Sequence, residues 1–252
     1  MYFDTHCHLN SETLYSTRHE IVNRARENGV TTMCVVGYDL ASSIQAVDIA
    51  HEFEGVYAVV GIGPQDCLHT TSEDLMKIDN LLDDEKVVAL GEIGLDYYWD
   101  TVPKIKQLDV FKAQLELAKK HDVPVVIHSR DALNDTYEVL AKSGVKGIMH
   151  CYSGSVEMAK RFVQLGYYIS LAGPVTFKNA RVPKEVAGAI PLEYLLVETD
   201  SPYMAPTPLR GTVNEPKNVI YTAGEVAKLK NLAVEEVAQQ TTKNAFNAFK
   251  IQ

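Results

Sequence analysis

The feature that most constrains this chain is an alternation that never breaks: short apolar stretches separated by longer amphipathic ones. The apolar stretches are Tyr2–His6, Thr31–Val36, Val56–Ile62, Val87–Ile93, Pro124–His128, Gly147–His150, Tyr167–Leu171 and Tyr194–Thr199. Most are near-continuous runs, the pattern of parallel strands covered on both faces. Helical spacing fills the gaps. Leu108, Phe111, Leu115 and Ala118 mark one helix, which stops before His121-Asp122. Leu75, Ile78, Leu81 and Leu82 mark another, with a capping box predicted from Thr70 to Glu73. Leu133, Tyr137 and Leu140 run to a helix stop at Ser143-Gly144. After the last strand come a Pro-rich loop (Pro202, Pro206, Pro208, Pro216) and two helices near Asn218–Lys230 and Val234–Phe249.

Eight strand–helix repeats in 252 residues predict one TIM-type (β/α)8 barrel over residues 1–252, a fold that typically takes about 250 residues. The alternative is an open doubly wound sheet. That fold usually has fewer strands, and no GxGxxG follows the first strand here.

In such barrels the chemistry is built at the C-terminal ends of the strands, and here those ends carry metal-binding residue types repeatedly. Strand one ends in Asp4-Thr5-His6-Cys7-His8 and strand four in Gly91-Glu92-Ile93-Gly94-Leu95-Asp96. Strand five ends in His128-Ser129-Arg130, strand six in His150-Cys151 and strand eight in Glu198-Thr199-Asp200. Side chains two apart on a strand share a face. His6 and His8 are therefore predicted to face the barrel axis, with Thr5 and Cys7 toward the helices. Independent core histidines have no reason to gather at strand ends. The predicted ligand set is His6, His8, Glu92, His128, His150 and Asp200.

A single catalytic zinc usually takes three protein ligands. Six suit two divalent ions about 3.5–4 Å apart, with a carboxylate between them. Glu92 is expected to bridge, and Asp200 to act as terminal ligand and base. Mixed imidazole and carboxylate donors suit Zn or Mn, whereas Mg prefers oxygen. Such a centre makes a nucleophile of water near neutral pH, so the predicted reaction is hydrolysis of a phosphoester or carboxylic ester.

These residues fall in motifs similar to those of the TatD family of metal-dependent hydrolases. The motifs are Asp4-Thr-His-Cys-His-Leu9, Gly91-Glu-Ile-Gly-Leu-Asp-Tyr97, Ile127-His-Ser-Arg130, Met149-His-Cys-Tyr-Ser-Gly154 and Val197-Glu-Thr-Asp-Ser-Pro-Tyr203. Asn214-Glu215-Pro216 and Thr241-Thr-Lys-Asn-Ala-Phe246 also fit. The resemblance spans the chain in order. It implies a TIM-type barrel with a one- or two-metal centre on the same six residues. It also implies Mg- or Mn-dependent deoxyribonuclease activity, often 3′→5′ exonucleolytic, with other members acting on substrates such as aminoacyl esters of tRNA. Two stretches depart from the family. Gly63 and Gln65, in Gly61-Ile-Gly-Pro-Gln-Asp66, stand where histidines thought to lie near the substrate are common. Val213 stands where a basic residue often precedes Asn-Glu-Pro.

Charge limits the partners. Lys+Arg 24 against Asp+Glu 33 leaves −9, which excludes a broad basic face, so any grip on nucleic acid must be local. Arg130 shares the face of His128 and is expected to hold a phosphate oxygen. Arg210, in the loop after strand eight, is a second phosphate candidate. The Lys178, Arg181, Lys184 string is a candidate backbone contact or a solvated helix face. Tyr97, Tyr98 and Trp99 either stack on unpaired bases or pack their loop onto the rim. Glu198 and Asp4, each two residues before a ligand, are expected to orient ligands from behind. Cys7 and Cys151 are read as buried packing residues.

The hydrophobic fraction of 46% and charged fraction of 23% are those of a folded domain and exclude disordered, collagen-like and coiled-coil chains. No apolar run nears the about 18 residues of a membrane span, and the first residues lack a signal pattern. The four cysteines (Cys7, Cys34, Cys67, Cys151) form no CxxC pair, which fits a reduced, cytoplasmic protein with no membrane partner. Monomer is the default state. The leading expectation is a metal-dependent deoxyribonuclease acting on single-stranded or frayed DNA. The alternative is a hydrolase of a small-molecule or aminoacyl ester using the same site. A non-catalytic metal-stabilised barrel is disfavoured, because structural sites usually close with four ligands.

Overall fold

In the computed structural model, which describes residues 1–251, all eight predicted stretches become strands of one sheet. They are β1 (Tyr2–Cys7), β2 (Val30–Val36), β3 (Val56–Val60), β4 (Val87–Asp96), β5 (Val125–Arg130), β6 (Gly147–Met149), β7 (Tyr168–Leu171) and β8 (Leu195–Val197). The sheet order is β1 to β8 in sequence, each pair from β1–β2 to β7–β8 being parallel. The helices are α1 (Arg18–Glu27), α2 (Leu40–Glu52), α3 (Ser72–Leu81), α4 (Lys104–His121), α5 (Leu133–Ser143), α6 (Val156–Gln164), α7 (Arg181–Ala189), α8 (Val219–Lys230) and α9 (Val234–Ala248). This is the TIM-type barrel the alternation predicted. Among the described residues no helix is long and apolar enough to cross a membrane.

Strand alternation divides the core in two. Phe3, Cys34, Val59, Val126, Ile148 and Leu196 cluster with Ala245, Ala248 and Phe249 from the end of the chain. Phe3 meets the rings of Phe246 and Phe249 at 5.4 and 5.8 Å, so the α9 region floors the barrel. The opposite strand faces (Val35, Ala58, Leu90, Ile127, Ile169) join Ile21, Ala46, Ile78, Leu115 and Val226 of the helices. Local signals hold with one correction. Gly144 ends α5 in the left-handed conformation (φ 71°). The capping box of α3 sits one residue later than predicted, on Thr71 and Asp74, which bond reciprocally through side chains and amides.

Two register slips matter for the mouth of the barrel. On β4, three residue steps (Leu90 to Ile93) span what two steps (Val125 to Ile127) span on β5. Gly91 and Gly94 permit this close approach: a Cβ on Gly91 would stand 2.7 Å from Val126 Cβ, and one on Gly94 2.0 Å from the His128 carbonyl. On β1 the same excess falls between Asp4 and Cys7. Strict alternation therefore fails there. Cys7 does face the helices, but the Thr5 hydroxyl reaches Ser170 and the Val197 carbonyl.

The β8–β1 seam is stitched at its upper end. The Asp200 amide donates to the His6 carbonyl (2.9 Å) and the His8 amide to the Ser201 carbonyl (2.7 Å). The buried Asp4 carboxylate accepts both the amide (2.8 Å) and the hydroxyl of Thr199. β8 is shorter than expected: it ends at Val197, and Glu198–Asp200 leave the ladder to enter the site.

Candidate metal centre

The six predicted ligands converge, and Glu92 lies between them. Its Oε2 is 3.4 Å from His6 Nε2 and 4.0 Å from His8 Nε2. Its Oε1 is 2.8 Å from His128 Nδ1 and 3.2 Å from His150 Nε2. Asp200 Oδ1 completes the first side, 3.4 Å from His8 Nε2 and 3.8 Å from His6 Nε2. The arrangement is two adjacent clusters sharing one carboxylate: His6, His8, Glu92 and Asp200 on one side, and Glu92, His128 and His150 on the other. The register slip on β4 is what carries Glu92 to this central place.

The donor chemistry fits a cation. His6 Nε2 and His8 Nε2 stand 3.2 Å apart and aim at one point. Two such lone pairs repel unless a proton or metal lies between them. His6, His8 and Glu92 can gather around one ion, and so can Glu92, His128 and His150.

Behind the donors stand groups that hold the rings. His8 Nδ1 lies 2.9 Å from the Val36 carbonyl, and His150 Nδ1 3.0 Å from Glu198 Oε1. That oxygen also accepts the Cys151 amide at 2.8 Å. Glu198 thus orients His150, as the two-residue spacing predicted. His128 Nε2 lies 2.8 Å from Asp96 Oδ2. Asp96 is fully buried and was not singled out as a ligand holder from the sequence. Its even spacing from Glu92 along β4 was the available signal. Asp4 touches no ligand side chain other than its own strand's backbone. It acts by holding Thr199, and so the main chain that presents Asp200.

Electrostatics follow from this packing. Burial opposes ionisation of Glu92, but the surrounding imidazoles hold its carboxyl well below the usual range. Burial likewise opposes the charge on Asp200, and His8 with its neighbours keeps its pKa low. Burial and the nearby His150 depress His6. For His128, burial is outweighed by hydrogen bonds to Asp96 and Glu92, which push it up to about 9. Protons and metal compete for these nitrogens. Below pH 9 the metal-free site holds the His128 proton, and uptake must expel it. Metal affinity is therefore expected to rise with pH, about tenfold per unit for each proton displaced, the His128 share levelling above about pH 9. Calorimetry at pH 7 in buffers of different ionisation heat measures the release; no proton release contradicts the assignment.

The cleft above the donors has a volume of about 500 Å³ and is walled by Tyr38, Pro64, Gln65, Trp99, Arg130 and Tyr203. A more apolar lobe of about 290 Å³ continues past His150 toward Leu171, Pro174, Val175 and Pro183. Arg130 is at the cleft, with its guanidinium 3.7 Å from the Tyr98 ring centroid and 5.8 Å from that of Trp99. Among the described residues no carboxylate pairs with it. Tyr97 instead packs its loop down, donating to Asp135 at 2.8 Å. The other basic candidates lie elsewhere. Arg210 is stacked on Phe177 at 4.0 Å and does not line the cleft, because its loop folds back against the turn after β7. Arg181 pairs with Glu185 and Lys184 with Glu225, so this string is largely a neutralised helix face. Cys151 lines the lobe rather than packing away from it; its left-handed φ of 40° breaks the strand alternation on which that expectation rested.

A parallel eight-stranded barrel with buried imidazoles and carboxylates at its C-terminal mouth defines the class of metal-dependent barrel hydrolases. Comparison with known proteins makes this specific. Residues 3–250 match the family described as TatD related DNase. The chain is 45% identical over 254 residues to YabD of Bacillus subtilis, an uncharacterized metal-dependent hydrolase, covering 100% of both chains. It is 37% identical over 256 residues to a Mycobacterium tuberculosis protein named as uncharacterized metal-dependent hydrolase TatD, covering 98% of this chain and 97% of that one. The crystal structure of YJJV, a TatD homolog from Escherichia coli, superposes with a TM-score of 0.96 at 30% identity, covering 100% and 98% of the two chains. The chain belongs to the TatD family of metal-dependent hydrolases.

Proposed function

We propose that this hydrolase is a deoxyribonuclease that removes nucleotides from the 3′ end of single-stranded or frayed DNA in the cytoplasm, using two divalent ions. The observation that carries the reading is Glu92 dividing its oxygens between two imidazole clusters. Such a pair of ions acidifies water and neutralises charge on both the attacking and leaving oxygens of a phosphodiester. The family's own description as DNase-related supports the substrate class.

The chain's residues divide the remaining work. Glu92 holds the two clusters in register. Asp96 and Glu198 fix the His128 and His150 rings, so these donors need no reorganisation. Asp200 lines the cleft, its carboxyl held below the usual range by the neighbouring imidazoles against its burial; it accepts the proton of the attacking water. Arg130 offers N–H donors to a phosphate oxygen, with its guanidinium held over the Tyr98 ring and beside that of Trp99. With −9 net charge, this local contact replaces long-range attraction. Arg130→Ala is expected to raise KM for DNA about ten- to a hundredfold, the loss of one charge-assisted bond of about 1.5–3 kcal/mol. Arg130→Lys is expected to recover only part of it, because a lysine neither forks nor stacks equally. An unchanged KM in Arg130→Ala removes Arg130 from substrate binding.

A 5′-labelled single-stranded oligonucleotide, incubated with metal-stripped protein and with added Mn or Mg, tests the function. Stepwise shortening that requires metal is the expected result. Intact DNA with metals bound overturns the nuclease reading. It would favour a small-molecule or aminoacyl ester, for which Gly63 and Gln65 mark the altered wall.

A further inference from the structure

Gln65 lies on the exposed rim in the loop after β3, 31 residues before Asp96. Its amide nitrogen donates to Asp96 Oδ2 at 2.9 Å. The same oxygen faces His128 Nε2 at 2.8 Å. The other oxygen of Asp96 accepts the backbone amides of Tyr98 (3.0 Å) and Trp99 (3.3 Å). Gln107 clamps the Asp96 main chain from below, accepting its amide and donating to its carbonyl. A carboxylate has about four lone-pair directions, and four donors fill those of Asp96. The acid cannot rotate without losing a bond. His128 must therefore present Nε2–H to Asp96 and turn Nδ1 toward Glu92, the orientation in which it can ligate.

The dependence is one-sided. His8 is held by the Val36 carbonyl, and His6 Nδ1 has no protein partner. Neither depends on Asp96. The His128–His150–Glu92 cluster has fewer donors and relies on two buried acids behind it, one of them capped by a rim side chain.

We infer that Gln65 is a positioning residue which, through Asp96 and His128, sets the affinity of the His128–His150–Glu92 cluster for its ion without affecting the His6–His8–Asp200 cluster. This rests on the two-ion reading above. The same acid orders the Tyr98-Trp99 loop that supports Arg130, so the rim glutamine joins the second ion to the substrate wall.

The test is a cobalt(II) titration of the metal-stripped full-length protein, followed by calorimetry and visible absorption. Wild type, Gln65→Leu and Gln65→Glu are compared. The expected result is a first equivalent unchanged within about twofold and a second weakened about tenfold in Gln65→Leu, the scale for groups that orient ligands. Gln65→Glu is expected to weaken the second equivalent further, since it sets an acid against Asp96. The thermal midpoint of the metal-free protein should stay near wild type in Gln65→Leu, because the side chain lies on the rim. A second equivalent unchanged in both variants overturns the inference, and so does equal weakening of both equivalents. A wild type that binds a single ion overturns the two-ion reading and this assignment with it, and that is visible before any variant is compared.

Discussion

Glu92→Gln is expected to reduce metal uptake from two ions to one. The amide keeps the shape but removes the shared charge. The cluster of His6, His8 and Asp200 still has three donors, enough for a catalytic-type site. The other cluster falls to His128 and His150, too few to compete with water. Its affinity should fall by more than 100-fold, beyond the 10–100-fold typical of groups that only orient ligands. Activity should fall about 10³-fold or more with the second ion. Elemental analysis after gel filtration, together with steady-state cleavage, checks both. Two ions retained in Glu92→Gln would show that Glu92 does not bridge.

Asp200→Asn is expected to leave DNA binding largely intact, with the first ion still offered three donors by His6, His8 and Glu92, and to lower turnover sharply. Asp200 lies within 4.0 Å of His6 and His8 but not of His128 or His150. The second cluster should therefore keep its affinity, and KM for DNA should move little. The loss of a proton acceptor costs about 10²–10⁴-fold in kcat. A kcat within a few fold of wild type would assign the proton to another group. The two variants separate cleanly, because Glu92→Gln changes stoichiometry and Asp200→Asn changes rate.

The candidate ligand set was legible because it depends on residue type and strand position, both local. A histidine or acid at a strand's C-terminal end of a (β/α)8 barrel faces one shared mouth, so six separated letters become one site. What stayed hidden depends on contacts between distant segments. Gln65 and Asp96 meet only when the β3 and β4 loops fold over the rim. The slips on β1 and β4 defeat strict alternation, which is why Thr5 points elsewhere than predicted. Arg130 and Arg210 illustrate the same limit. Both were candidate phosphate ligands, and only the loop path separates the one at the cleft from the one on Phe177. The capping box shifted by a residue because Thr70-Thr71 and Glu73-Asp74 offer two registers with the same letters.

The seam between β8 and β1 also sets when this protein becomes active during its own synthesis. Asp4 and Thr199 are 195 residues apart, and Asp200 reaches its place only when their strands join. A ribosome releases His6 and His8 early and must translate nearly the whole chain before their partner acid exists. Contacts this distant in sequence close late and slowly. A chain stalled between residues 150 and 199 therefore carries five of the six candidate donors but no complete metal centre. The candidate metal centre is complete only once the segment after β8 is made, so a fragment lacking that segment lacks Asp200.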